Sequence, residues 1–330
     1  MELRAGLVGL GMMGKNHARV MGSTESIELV GISDPLGDPT GTINDELIFS
    51  SLEELIDQDI DLAVVACPTI EHEQVAMKLC EAGIHTLVEK PLAIDTEAAL
   101  RIANAFKKAN LVGAVGHIER FNPAIRSMRQ RIADGELGEL YQISTRRIGP
   151  FPNRIRDVGV VKDLATHDLD LTVWVGGSQF KQISAHTAHK AGRSHEDLVA
   201  ITGILENDVV TNHLVNWLSP LKERFTIATG EKGSFIADTL LADLTLHRNA
   251  DAPPPWEGIS QFTGVAEGDM IRFAIPKPEP LRTEFEGFRD KVIHGLGEIV
   301  TMHEGVQAVK HAEAALQSAI SASTITMDSA

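Results

Sequence analysis

The chain has 330 residues, 43% of them hydrophobic and 23% charged, with a formal net charge of −16. That length suggests two domains, each able to bury its own core, and the composition leaves no room for long disordered stretches. So acidic a chain is a poor general binder of nucleic acid or of anionic membrane.

In chain order, Ala5–Val8 reads as a short apolar strand, Gly14–Met21 as a helix and Ile27–Ile32 as a second strand that ends at Asp34-Pro35. Pro35–Thr42 holds Gly37, Pro39 and Gly41 and reads as a loop. Ser51 and Glu54 have capping-box spacing at the start of a short helix. Leu62–Ala66 is a buried-looking strand, His72–Ala82 a helix stopped by Gly83, and His85–Val88 a further strand. Asp95–Asn110 is a long amphipathic helix and Leu111–Val115 another strand. Strands and helices alternating at this pitch predict a parallel doubly wound sheet, a Rossmann domain over residues 1–121.

Beyond Asn122 the pattern changes. Leu140–Thr145, Gln182–His186, Leu198–Leu205, Val209–Val215 and Phe225–Thr229 follow one another with few helices between. They predict an α+β domain over 122–330 with an open, mainly antiparallel sheet. Ala252–Pro255 reads as a Pro-rich loop, and Thr283–His294 and His303–Ser318 as closing helices. An exposed sheet face would need a cover, so a homodimer or homotetramer is expected.

Gly9-Leu10-Gly11-Met12-Met13-Gly14 has the spacing G-x-G-x-x-G, and it follows a strand and opens a helix. Gly9 permits the tight turn, Gly11 lets backbone approach a pyrophosphate, and Gly14 lets helix pack on strand. The N–H groups of the turn, Met12 and Met13 included, then face the phosphates with the positive end of the helix dipole. Asp34 lies 20 positions after Gly14, where a carboxylate meets the adenosine ribose hydroxyls and repels a 2′-phosphate. The expected cofactor is therefore NAD rather than NADP; the bland alternative for Asp34 is a turn-forming residue before Pro35.

At Val88-Glu89-Lys90-Pro91-Leu92 the chain resembles the Gfo/Idh/MocA oxidoreductase family, which carries E-K-P at the end of a Rossmann strand. Ala66-Cys67-Pro68-Thr69 with His72, Arg120-Phe121-Asn122-Pro123, and Asp163-Leu-Ala-Thr-His167-Asp-Leu-Asp170 are similar to further segments of that family, in the family's order. The resemblance implies that Lys90 contacts the reacting oxygen and the nicotinamide ribose, that His167 is the general acid/base, and that Asp163 orients it or the substrate. It implies cofactor contacts for Pro68, Thr69, His72 and Glu89, and a Lys90–Pro91 bond that is often cis. His72 is alternatively a structural residue, and Asp168 and Asp170 are as readily solvated helix carboxylates as site groups.

The chemistry is coherent by itself. Oxidising a secondary alcohol needs a hydride acceptor, a base that titrates near neutrality, and a cation beside the developing alkoxide. With no H-E-x-x-H and no cysteine cluster, no metal is expected. Cys67 and Cys80 match no zinc or redox spacing and read as buried reduced thiols. The opening of the chain reads as a strand, not as a signal peptide or membrane span, so a cytoplasmic setting is expected.

Arg146, Arg147, Arg154, Arg156 and Lys162 concentrate positive charge just before Asp163. Arginine forks suit phosphate; the alternative is a solvated basic face that pairs with acidic neighbours in an oligomer. Gly116–Pro123, Gly149–Gly159, Asn216–Pro220 and Gly230–Gly233 resemble UDP-N-acetylglucosamine 3-dehydrogenase-like members of the family. That implies a nucleotide-sugar substrate met by Lys90, Arg120, Asn122, Arg147, Arg154, Arg156, Asp163 and His167. A dehydrogenase of inositol or a free sugar, an NAD-dependent glycosidase and a non-catalytic NAD-binding regulator are the competing readings.

Overall fold

The computed structural model describes residues 2–38, 41, 43, 47–151, 158–250 and 267–327; the loop expected at 252–255 lies outside them. The chain forms two compact units: Met1–Ile118 with Glu279–Lys310, and Glu119–Pro278 with His311–Ala330.

In the first unit β1 (Leu3–Val8), α1 (Met12–Met21), β2 (Ile27–Ser33), β3 (Ile48–Phe49), α2 (Leu52–Ile56), β4 (Leu62–Val65), α3 (His72–Glu81), β5 (His85–Glu89), α4 (Thr96–Ala109) and β6 (Gly113–Gly116) alternate. The strands pair in parallel in the order β3-β2-β1-β4-β5-β6. Every residue of β4 is buried, as expected of a parallel strand covered on both faces. The expected capping box starts α2: Ser51 Oγ accepts the Glu54 N–H, and Glu54 Oε2 accepts the Ser51 N–H. Asp95 caps α4 through the Ala98 N–H at 2.8 Å, and Asn110 ends it in the left-handed conformation.

In the second unit α5 (Pro123–Ala133), β7 (Leu140–Pro150), α6 (Thr166–Gly176), β8 (Phe180–Ala188), β9 (Leu198–Leu205), β10 (Val210–Asn216), β11 (Leu218–Gly230), β12 (Gly233–Asp238), β13 (Asp243–Asn249) and β14 (Glu267–Arg272) follow in sequence. After them come α7 (Pro280–His294) of the first unit, α8 (Met302–Ser321) and β15 (Ile325–Thr326). The nine strands order as β14-β13-β12-β11-β7-β10-β9-β8-β15, antiparallel except for β10 against β7. Side chains of one face, among them Ile143, Val199, Val215 and Phe235, join Ile125, Met128, Leu169 and Ala315 in one core. Gln142, Thr202 and Leu214 stand exposed on the strands between them.

The expected single boundary after residue 121 is corrected in two ways. The first unit ends at Ile118, and the chain returns to it at Glu279–Lys310. Apolar burial brings it back: Leu281, Phe285 and Phe288 of α7 lie in one cluster with Leu3, Leu7, Val20 and Met21. Val115 then donates its N–H to Val300 O at 2.9 Å, which covers the edge of β6.

His213 on β10 is buried, with Nδ1 2.8 Å from Thr145 Oγ1. Burial pushes its pKa from 6.5 down to about 3. The unfolded ring takes a proton that the folded one refuses, so this group's stability is whole above pH 6.5 and is lost as pH falls towards 3. Calorimetric melting of the wild type and His213→Gln from neutral pH down to about pH 5 should show the wild type losing more Tm. A gap that stays constant across that range contradicts the assignment.

Candidate active site

The strand order reverses beside β1, between β2 and β4. In such sheets a ligand lies outside the carboxyl ends of the strands at that point. Gly9 follows β1, Asp34 follows β2, Cys67 and Pro68 follow β4, and Lys90 follows β5, so the expected residues share this edge. Gly9 has φ +92, and a Cβ there would lie 2.6 Å from Cys67 N. A Cβ on Gly14 would lie 2.0 Å from Gly9 O. Both positions demand glycine because backbone occupies the space a side chain needs. Gly11 differs: a Cβ there meets nothing within 4 Å. Helix α1 starts at Gly11 with no side-chain cap and no acidic residue in its first turn, which suits an anion at its positive end.

Asp34 Oδ2 accepts the Leu10 N–H at 2.7 Å and Oδ1 accepts the Leu36 N–H at 2.8 Å. The carboxylate thus pins the glycine turn, and each oxygen keeps a lone pair for a ribose hydroxyl. Lys15, absent from the expected site, lies in the first turns of α1 with Nζ 2.9 Å from Asp38 Oδ1. Pro68 is exposed, and Thr69 opens a short 3₁₀ turn after it. Met12 is exposed while Met13 packs on the core of the unit.

Two residues expected as cofactor contacts have hydrogen-bond partners inside the fold. Glu89 is buried: Oε1 accepts from His17 Nε2 at 2.7 Å and Oε2 from the Lys90 N–H at 3.2 Å. Burial opposes its charge, but the His17 bond and the nearby Lys90 outweigh that and hold its pKa below the usual carboxylate range. His72 is buried with Nδ1 2.9 Å from Pro91 O and Nε2 3.1 Å from Cys67 O. Burial lowers its pKa and keeps the ring neutral, so it donates to one of those carbonyls at a time. The Lys90–Pro91 bond is cis. Cys80 is buried but Cys67 is only half-buried; both are free, and burial pushes the Cys67 thiol up to about 12.

In the second unit Asp163 falls in a π-helical turn, Val161–Ala165, and His167 in the first turn of α6; both are buried. Such turns recur at functional sites. Glu196, which the sequence reading missed, accepts the Val161 N–H at 3.0 Å and holds the start of this turn. Gly159 makes room for it, since a Cβ there would lie 2.0 Å from Glu196 Oε1.

Three residues expected to meet substrate have partners inside the fold. Arg120 grips Asp170 with two bonds of 2.8 and 2.6 Å, both side chains buried. Arg147 donates to Glu119 Oε1 at 2.8 Å and Asp168 Oδ2 at 3.0 Å. Asn122 caps α5 through the Ala124 N–H at 3.0 Å and donates to Thr239 O at 2.9 Å. A guanidinium out of water needs carboxylate partners within the protein, and these have found them. Arg224 also reaches Glu119, at 3.2 Å. Burial works against the Glu119 charge, yet Arg147 and Arg224 hold its pKa below the ordinary value. Arg146 is half-exposed and pairs with Glu223, while Arg154 and Arg156 lie outside the described residues. Glu119 and Arg224 were not singled out beforehand, because their partners lie 28 and 105 positions away and no local spacing announces them.

Residues 3–117 match the model of the Gfo/Idh/MocA oxidoreductase family's NAD-binding Rossmann fold, and residues 125–236 match that family's C-terminal domain. The chain belongs to the Gfo/Idh/MocA family. It is 31% identical, over 64% of its length and 66% of the relative's, to UDP-N-acetylglucosamine 3-dehydrogenase of Acidithiobacillus ferrooxidans. It is 26% identical to inositol 2-dehydrogenase 2 of Saccharopolyspora erythraea over 99% of this chain and 96% of that one. The solved structure of the Acidithiobacillus enzyme GnnA superimposes with a TM-score of 0.83 at 25% identity, covering 96% of this chain and 98% of that one. As a family member the chain is an NAD-dependent oxidoreductase of the dehydrogenase type. Among the described residues no group of His, Cys, Asp and Glu could hold a metal ion, and no helix is long and apolar enough to cross a membrane.

The turn fits NAD: the space at Gly11 is open, and in turns of this pattern the middle glycine lets backbone approach the pyrophosphate. Gly11→Ala should therefore melt with the wild type yet raise the NAD⁺ Kd, while Gly14→Ala should lower Tm itself. Calorimetry of both variants with NAD⁺ titration checks this. Equal NAD⁺ affinity in Gly11→Ala and the wild type would count against the cradle.

Proposed function

We propose that this chain oxidises a secondary hydroxyl of a nucleotide sugar, UDP-N-acetylglucosamine at its 3-hydroxyl. The carrying observation is the likeness to the Acidithiobacillus dehydrogenase, in sequence over 64% of this chain and in the backbone over 96% of it. When bound, NAD supplies the hydride acceptor. Lys90 places an ammonium by the reacting oxygen and stabilises the developing alkoxide. His167 takes the hydroxyl proton, and Asp163 orients it. Since Arg120 and Arg147 are held by Asp170, Glu119 and Asp168, recognition of the diphosphate falls in this reading to Arg154 and Arg156. The free thiols Cys67 and Cys80 accord with a reducing, cytoplasmic setting, and the exposed Val210 and Leu214 of β10 with a cover by a second copy.

A second reading has one observation behind it. The likeness to the Saccharopolyspora inositol dehydrogenase extends over almost the entire chain. Inositol would leave the arginine-rich stretch without a phosphate to bind.

NADH formation at 340 nm (the absorbance of the reduced nicotinamide) with UDP-N-acetylglucosamine, free N-acetylglucosamine and myo-inositol separates the two. The nucleotide sugar should give the highest kcat/KM; turnover confined to inositol would install the second reading. Lys90→Ala and His167→Ala should each lower turnover by about 10²- to 10⁴-fold with little change in NAD⁺ affinity. Normal rates in either variant would remove the assigned roles.

A further inference from the structure

His17 lies on α1, the helix whose first turn faces the cofactor phosphates, and its ring is fully buried. Glu89 is held below the usual carboxylate range and is therefore an acceptor, so Nε2 carries the proton in the 2.7 Å bond between them. The other oxygen of that carboxylate holds the N–H of Lys90 at 3.2 Å. Gly116, at the end of β6, leaves the room for this: a Cβ there would stand 3.1 Å from the Glu89 carboxyl. A second carboxyl, Glu284 of α7, is buried with no hydrogen-bond partner on either oxygen. Burial and the neighbouring Glu89 charge raise its pKa well above the ordinary value, which favours its neutral form. On the far side of Lys90, His72 binds Pro91 O at 2.9 Å. The backbone at Lys90 is thus held by the Glu89 carboxylate, itself bonded to His17, and beyond the residue by His72 at Pro91 O.

We propose that His17 is a positioning residue: acting through Glu89, it fixes the backbone at Lys90 and ties the placement of that ammonium to the helix that receives the cofactor's phosphates. The inference rests on the role given to Lys90 above. It explains why a carboxylate is spent inside the fold at a position next to the candidate chemistry. A hydrophobic pair of equal volume would pack there but would not hold the Lys90 N–H.

The test needs no sugar substrate. The full-length wild type, His17→Leu, His17→Gln and Glu284→Gln are treated with acetic anhydride with and without saturating NAD⁺, and acetylation of Lys90 is quantified by mass spectrometry. NAD⁺ affinity and Tm are measured alongside. NAD⁺ should shield Lys90 in the wild type. In His17→Leu the shielding should disappear at full NAD⁺ occupancy, and His17→Gln, whose amide can still donate to Glu89, should restore part of it. Glu284→Gln, which keeps a neutral group in place, should behave as the wild type. Where turnover is measured, His17→Leu should lower kcat by about 100-fold with KM little changed. Full shielding retained in His17→Leu would overturn the inference and leave the role of Lys90 standing. No shielding in the wild type would overturn the role of Lys90 and the inference with it. Should His17→Leu fail to fold, His17→Gln and Glu89→Gln decide by the same reading: shielding equal to the wild type in both overturns the inference.

Discussion

The glycine turn of the first unit packs backbone against backbone. The carbonyl of Gly9 stands where Gly14 would carry a Cβ, at 2.0 Å, and Gly9 itself abuts the backbone of Cys67. Nothing larger than hydrogen fits at either point. This contact brings the start of α1 onto β1 and β4 where the strand order reverses, and so aims the unsatisfied N–H groups of the helix at the ligand edge. Asp34 then locks the turn by accepting the Leu10 N–H. The shape of the glycine turn follows from this packing.

The second unit is organised by charge taken out of water. Arg120 with Asp170, and Arg147 with Glu119 and Asp168, are buried on or beside α6, the helix that carries His167. Removing one partner from such a pair costs about 3–5 kcal/mol, because the other is left desolvated and alone. Their fixed directions hold α6 against β7, while Glu196 holds the π-helical turn that contains Asp163.

Much of this was legible in the residues. Strand–helix alternation over the first third, the glycine spacing and the carboxylate at Asp34 were enough to expect the parallel sheet and its ligand edge. The run of strands after Leu140 announced the antiparallel sheet. Local patterns could not reveal long-range pairing. The return of α7 to the first core depends on Leu281, Phe285 and Phe288 meeting residues more than 250 positions earlier. The buried carboxylate partners of Arg120 and Arg147 were not legible, because an arginine beside a site motif reads the same whether it faces solvent or a buried carboxylate. The internal partners of Glu89 and His72 were hidden for the same reason: adjacency to Lys90 and Cys67 is visible in sequence, whereas the direction of a side chain is not. His17, three positions after Gly14, had no local signal at all.

The family shown is one of NAD-dependent dehydrogenases, and the proposed reaction removes hydride from a carbon that carries a hydroxyl. The most direct measurement is isotope transfer. UDP-N-acetylglucosamine deuterated at C3 is incubated with the enzyme and NAD⁺, and the reduced cofactor is examined by mass spectrometry. Deuterium at C4 of the nicotinamide is the expected result. Unlabelled NADH from that substrate, or label appearing only from deuterated inositol, would contradict the assignment.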